Sequence, residues 1–205
     1  MSEKVMFKFG VQSGTIAQLG FGVTDIDRAI DIYVDQLHIG PWQYTPDFAP
    51  GGGTFRSQPG QPSKKTNAMA WAGNYFIELI QQFSDEPSCV KEHGDSFGYG
   101  LNHYGFFYAM NGEYDKKIAE LTACGYEEVF SGITPPGSRS IYLGPKNRED
   151  VDLLAHNLGV GYIELVELVP ADEDMWYNIY LEAKNWDGKT RYTRKNSNIL
   201  LATAE

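Results

Sequence analysis

The chain has 205 residues, is 42% hydrophobic and 14% aromatic, and carries a formal charge of −10 from 17 Lys and Arg against 27 Asp and Glu. That apolar content excludes a disordered chain and suffices for one large domain or two small modules sharing a core. The acidic surface argues against nucleic acid and anionic membranes as partners, because its long-range field repels both, but leaves room for a small anionic ligand in a locally basic pocket.

The opening MSEKVMFKFG lacks the apolar core and cleavage site of a secretion signal, and no stretch is long enough to cross a bilayer. Cys89 and Cys124 lie far apart with no CxxC spacing and read as reduced thiols, so a cytoplasmic protein is expected. TIAQLGFGV (15–23) alternates as a strand does, and TDIDRAIDIYVDQL (24–37) follows, where Thr24 or Asp25 can cap a helix with Ile26, Ile30, Tyr33 and Val34 on one face. GPWQYTPDF reads as a strand, APGGG as a turn, and Phe55 and Arg56 as the start of a short strand before a loop. NAMAWAGNYFIELIQQF (67–83) looks like two antiparallel strands turning near Gly73.

The same order then recurs. LNHYGFFYAM (101–110) is a strand and EYDKKIAELTACG (113–125) a helix closed by Gly125, followed by strands in YEEVFSG, RSIYLG and GYIELVELV. KNREDVDLLAHNLGV reads as a surface excursion, and MWYNIYLEAKNWDG as an amphipathic helix before a polar tail. QLGFGV (18–23) matches HYGFFY (103–108) at an offset of 85, and YFIELI (75–80) matches GYIELV (161–166) at 86. Two independent matches at nearly one offset indicate a duplicated βαβββ unit in an α+β chain. The expected division is residues 1–100 for the first module with its linker, 101–170 for the second, and 171–205 for a C-terminal helix and tail, all within one composite domain.

Alternate residues of a strand share a face. Gln18 therefore lies beside Gly20 and Gly22, and His103 beside Gly105 and Phe107, a polar side chain bordered by space in both cases. Glu78 and Glu164 sit among apolar neighbours, where an ionised carboxylate is costly unless paired or metal-bound. As edge-strand acids facing solvent they would need no such partner. Modules related by a twofold axis send Gln18, His103, Glu78 and Glu164 toward one place, a set of charge −2 that a divalent cation would neutralise.

These motifs and the βαβββ pairing resemble the vicinal oxygen chelate superfamily, which includes glyoxalase I, methylmalonyl-CoA epimerase, extradiol dioxygenases and antibiotic-resistance proteins. The resemblance covers residues 15–169 and implies a curved mixed sheet around a central metal cavity, with a C-terminal helical extension outside it. It places metal ligands on Gln18, Glu78, His103 and Glu164. The Gln/Glu/His/Glu combination looks like glyoxalase I and favours zinc, while the donor types also suit nickel, cobalt, manganese or magnesium. The surroundings look more like the epimerase-related branch. No glutathione-binding arginine set and no basic cluster for coenzyme A phosphates can be placed.

The implied chemistry is metal-assisted proton abstraction next to a chelated carbonyl by an isomerase, epimerase or lyase, with Glu164 first and Glu78 second as the catalytic carboxylates. The alternative is a metal-free sequestering protein of the same fold. The expected partner is a small molecule with adjacent oxygens, apolar or aromatic elsewhere, with Trp42, Arg56, Phe107 and Tyr142 as pocket candidates against a default of core or solvated residues. His38, His93 and His156 read as surface or loop residues, with His93 a candidate for the pocket mouth. Exposed β-edges and the habit of the superfamily suggest a homodimer.

Overall fold

The computed structural model describes residues 5–48, 54–59, 63–145 and 160–195. The APGGG turn, His156 and nearly all of the expected 146–160 excursion lie outside these residues. The first half runs β1 (Thr15–Gly22), α1 (Ile26–Asp35), β2 (Trp42–Phe48), β3 (Thr54–Phe55), β4 (Gln58–Pro59), β5 (Lys65–Trp71) and β6 (Phe76–Gln82). After α2 (Cys89–Phe97) the second half runs β7 (Gly100–Tyr108), α3 (Glu113–Ala123), β8 (Tyr126–Ile133), β9 (Arg139–Pro145) and β10 (Tyr162–Glu167). Then come α4 (Pro170–Lys184) and β11 (Tyr192–Lys195).

Two helices are capped by their own sequence, and a third is closed by a glycine. Asp25 is the cap of α1, accepting from the Arg28 amide at 2.9 Å. Ile26, Ile30 and Val34 then turn inward onto Ala68, Ala70, Ile77 and Leu79, where two alanines let the helix approach the sheet. Ser88 caps α2 through the Lys91 amide. The α3 helix closes at Gly125, which lies in the left-handed region and donates to Thr122 O.

All strands form one mixed sheet in the order β11-β2-β5-β6-β1-β7-β10-β9-β8-β3-β4. Around the antiparallel β1–β7 seam the order is mirrored: β6 runs parallel to β1, and β10 parallel to β7. This is the duplicated α+β architecture expected from the repeat. The segment holding β3 and β4 leaves β2 on one side of the sheet and pairs with β8 on the other. Phe48 and Thr54 are six residues apart, a reach of at most about 20 Å, so the sheet must bend until its two flanks approach.

Helices α1 and α3 cover the outer face. On the inner face, at the Thr15 end of β1, an N-terminal hairpin inserts Phe7, Phe9 and Val11 against Trp71, Phe76 and Phe107, and α4 adds Trp176 and Ile179. At the Gly22 end, α2 crosses the central strands: a Cβ on Gly22 would lie 3.3 Å from Val90. The strip between these two fillings holds the polar residues.

Both flanks of the core sheet are covered by the chain itself, β2 by β11 and β8 by β3. Among the described residues the β-edges expected to suit a homodimer are thus partly paired, at Trp42, Gln43 and Tyr44 of β2 and at Phe130 and Ser131 of β8.

Candidate metal centre

Register puts the four expected residues in one place. Gly20 is the Cα partner of both Glu78 and His103, and Gly105 of both Gln18 and Glu164. The glycines are filled from across the seam rather than left open. A Cβ on Gly20 would lie 1.9 Å from the His103 ring, and one on Gly105 would lie 2.7 Å from Gln18 Oε1 and 3.4 Å from Glu164 Oε2. Each half thus lays its polar side chain over the glycine of the other.

His103 is fully buried, and Gln18, Glu78 and Glu164 are nearly so. His103 Nε2 stands 3.2 Å from Glu78 Oε2 and 3.3 Å from Glu164 Oε2. Neither oxygen has a hydrogen-bond partner among the described residues, so the two contacts are close charge pairings without hydrogen-bond alignment. The ligand atoms of Glu78, His103 and Glu164 all lie within 4.8 Å of one another.

The opposite oxygens are held. Glu78 Oε1 accepts from Asn67 Nδ2, and Glu164 Oε1 accepts from Ser140 Oγ at 2.8 Å. Asn67 sits two residues from the partner of Glu78 on β5, and Ser140 two residues from the partner of Glu164 on β9, so the supports obey the same symmetry as the acids. His103 is steered by its neighbour: Asn102 Nδ2 donates to Cys89 O at 3.1 Å, which turns Asn102 Oδ1 toward His103 Nδ1 at 3.0 Å. Nδ1 then donates to Asn102 Oδ1, and Nε2 faces the carboxylates, where it can carry a proton or, once that proton is lost, offer its lone pair to an ion. Adjacent strand residues normally point apart. Here the β1–β7 register slips between Gly20 and Phe21, so Asn102 is an extra residue in β7, the kind of bulge that re-aims a side chain.

Two buried acceptor oxygens without donors, an imidazole nitrogen between them and an amide oxygen alongside form a donor set that fits a divalent ion. Without metal the same arrangement acts on His103. Burial alone would lower the imidazole, but Glu164 and Glu78 override it and hold its pKa up at about 9.

Tyr142 is the one pocket candidate that lies at this centre. It is the Cα partner of Glu164, and its hydroxyl stands 3.5 Å from His103 Nε2. Burial, then the Glu164 and Glu78 charges, push the phenol well above its ordinary value, so it stays protonated. The other three candidates are corrected. Trp42 is on the opposite face: strand alternation sends it under α1, where it is fully buried and donates to Ile39 O. Phe107 shares the face of His103 but is packed between Phe76 and Trp176, with no exposed surface. Arg56 is committed to Glu92, with Nε 2.7 Å from Oε2, and to Glu127, so it is no open anion receptor. His93 is likewise no surface residue. It is buried, and its ring lies so close to Gly161 that a Cβ there would meet Cδ2 at 2.5 Å. Asn67, Ser140 and Asn102 were not singled out from sequence. Alternation within NAMAW and RSIYL could have found the first two; nothing local announces the bulge.

A model of the Glyoxalase/Bleomycin resistance protein/Dioxygenase superfamily matches residues 17–143, from β1 into β9, and so includes Gln18, Glu78 and His103 but stops before Glu164. No curated protein matches the chain. Among solved structures, a hypothetical protein from Bacillus halodurans is 20% identical, with 76% of this chain and 94% of that chain covered and a TM-score of 0.49. Methylmalonyl-CoA epimerase from Mycobacterium tuberculosis is also 20% identical, covering 78% and 91% at a TM-score of 0.47. Since the family match spans well over half of its length, this chain belongs to the Glyoxalase/Bleomycin resistance protein/Dioxygenase superfamily.

Proposed function

We propose that this chain is a metal-dependent isomerase, epimerase or lyase that removes a proton from the carbon next to a carbonyl of a small oxygenated metabolite. The observation that carries this reading is the pair of buried carboxylate oxygens, Glu78 Oε2 and Glu164 Oε2, that lack hydrogen-bond partners among the described residues and converge on His103 Nε2. A sequestering pocket has no use for two such acids, of which a protonated His103 balances only one.

Gln18, Glu78, His103 and Glu164 would hold the ion, zinc being favoured, and nickel, cobalt or manganese fitting the same donors. Bound there, a divalent ion supplies Lewis acidity that draws electrons from the substrate carbonyl and acidifies the neighbouring carbon. Glu164, loosely held at the ion, would release Oε2 and take the proton on that oxygen. Ser140 holds the other oxygen, so the carboxylate keeps its aim. Tyr142, as a neutral phenol, can donate to a substrate oxygen without competing for the carbon-bound proton. Glu78 approaches from the other half of the sheet and, once it has taken a proton from solvent, can deliver it to the opposite side of a planar carbon, as epimerisation requires, while Glu164 keeps the proton it removed and later gives it up to solvent.

Metal analysis and turnover test this together. Protein purified without chelator should carry about one equivalent of metal, lost in His103→Ala. Glu164→Gln should keep the fold and lose turnover by roughly two orders of magnitude or more. Full activity of Glu164→Gln on the substrate overturns the assignment of Glu164 as the base; no metal uptake under any loading condition overturns the metal-dependent reading and favours sequestration.

A further inference from the structure

The inner face of β5 presents Lys65, Asn67 and Met69 at alternate positions. Asn67 reaches Glu78, and Met69 is the Cα partner of Glu78. The β5–β6 register is unbroken from Lys65↔Gln82 to Trp71↔Phe76, so Lys65 lies on the same face as both. Lys65 is half-buried, and its ammonium has no hydrogen bond or ion pair to any described residue. Its neighbour Lys64, on the other side of the strand, is exposed and stands 4.0 Å from Asp47. Burial lowers the Lys65 ammonium against the pull of Cys89 and Glu78. The Cys89 thiol is itself pushed up to about 12 by burial and is neutral at pH 7, so Glu78 is the charge that Lys65 feels.

The charges around the centre are otherwise settled. Glu78 and Glu164 balance a divalent ion. Arg56 is matched by Glu92 and Glu127, and Arg139 by Asp115 and Glu167. Lys65 is the cation on this face that has no carboxylate of its own among the described residues, half-buried where an unpaired ammonium is unfavourable. A singly charged anion pairs with it one to one, whereas a doubly charged phosphate would bring a second charge for which this face has no partner. The second half offers a different wall: Phe55, Phe130 and Tyr142 pack together there.

We infer that Lys65 is the anchor for the anionic group of the substrate, and that the substrate is a small carbon acid with a carboxylate set apart from its chelating oxygens. This rests on the metal-dependent reading above. In the competing role the ammonium merely folds onto Asn67 Oδ1, a buried acceptor without a partner among the described residues. That makes Lys65 structural and predicts no effect on ligand choice.

Calorimetry on the zinc-loaded protein at pH 7 separates the two, with paired hydroxamates as chelating probes. Succinate monohydroxamate carries a distal carboxylate; butyrohydroxamate has a methyl group in its place. Wild type should bind the former at least about tenfold more tightly, the scale of one charge-assisted contact. Lys65→Met should erase that preference while keeping zinc stoichiometry and butyrohydroxamate affinity, and Lys65→Arg should retain most of it. No preference in wild type, or a preference that survives Lys65→Met, overturns the anchor. A phosphonate analogue favoured over the carboxylate in a Lys65-dependent way overturns the assignment to a carboxylate. Failure to take up zinc at all overturns the metal reading and this one with it.

Discussion

Glu78 and Glu164 are each divided between two duties. One oxygen is tied to a neutral donor, Asn67 or Ser140, and the other is left to face Nε2 of His103. In the metal-free protein the proton on His103 is the only positive charge between them, and it gives a pH dependence with a definite sign. The folded-state pKa of about 9 lies above the ordinary value of 6.5. The stability it contributes is therefore fully present below pH 6.5 and is lost as pH rises through about 9. Melts in the presence of chelator should fall in temperature across that window, and His103→Gln should flatten the fall. Zinc should remove it too, because the ion takes the place of the proton, which is released on binding. A melting temperature of the chelated protein that rises across the same window would contradict this account of the site.

At the scale of elements, the site depends on how close β1 and β7 come. The ring of His103 lies across Gly20, and Gln18 lies across Gly105. Gly20→Ala would place a methyl 1.9 Å from the imidazole, in a ring held from behind by Asn102, so the ring must leave. At Gly105 the added methyl meets Gln18 Oε1 at 2.7 Å, which can swing aside, and Gln18 Cβ at 2.9 Å, which yields only by a small shift of β1, a milder clash than the one at Gly20. Gly20→Ala should abolish zinc binding, and Gly105→Ala should weaken it less; equal retention in both, measured by metal content after dialysis, would refute the crossed arrangement. The same elements explain what was readable in advance. Alternation and the repeated offset located Gln18, Glu78, His103 and Glu164, because strand faces have period two and the duplication aligned the strands. The bulge that brings Asn102 to the face of His103 was not readable, since a register slip depends on both strands. Nor were the N-terminal hairpin that buries Phe107 and the crossing of β3 to β8, both of which join residues remote in sequence.

For the whole molecule, the donor set belongs to neither half alone. Gln18 and Glu78 come from the first, His103 and Glu164 from the second, and they meet across the β1–β7 seam. An ion there would bind only when both halves are folded and docked, so its binding energy adds to the stability of the whole chain. At free zinc of 100 times the dissociation constant the gain is about 2.7 kcal/mol. For a chain of this size each kcal/mol moves the midpoint by roughly 2–4 °C, so zinc should raise a single cooperative melt by about 5–10 °C. The shared aromatic filling argues for one transition, because Phe76 from the first half, Phe107 from the second and Trp176 from α4 pack on one another. Calorimetric scans with and without zinc distinguish the outcomes. A single peak displaced upward fits a clasp between halves. Two peaks, of which zinc moves only one, would mean that the ligands lie within one half and that the seam does not join them into a common site.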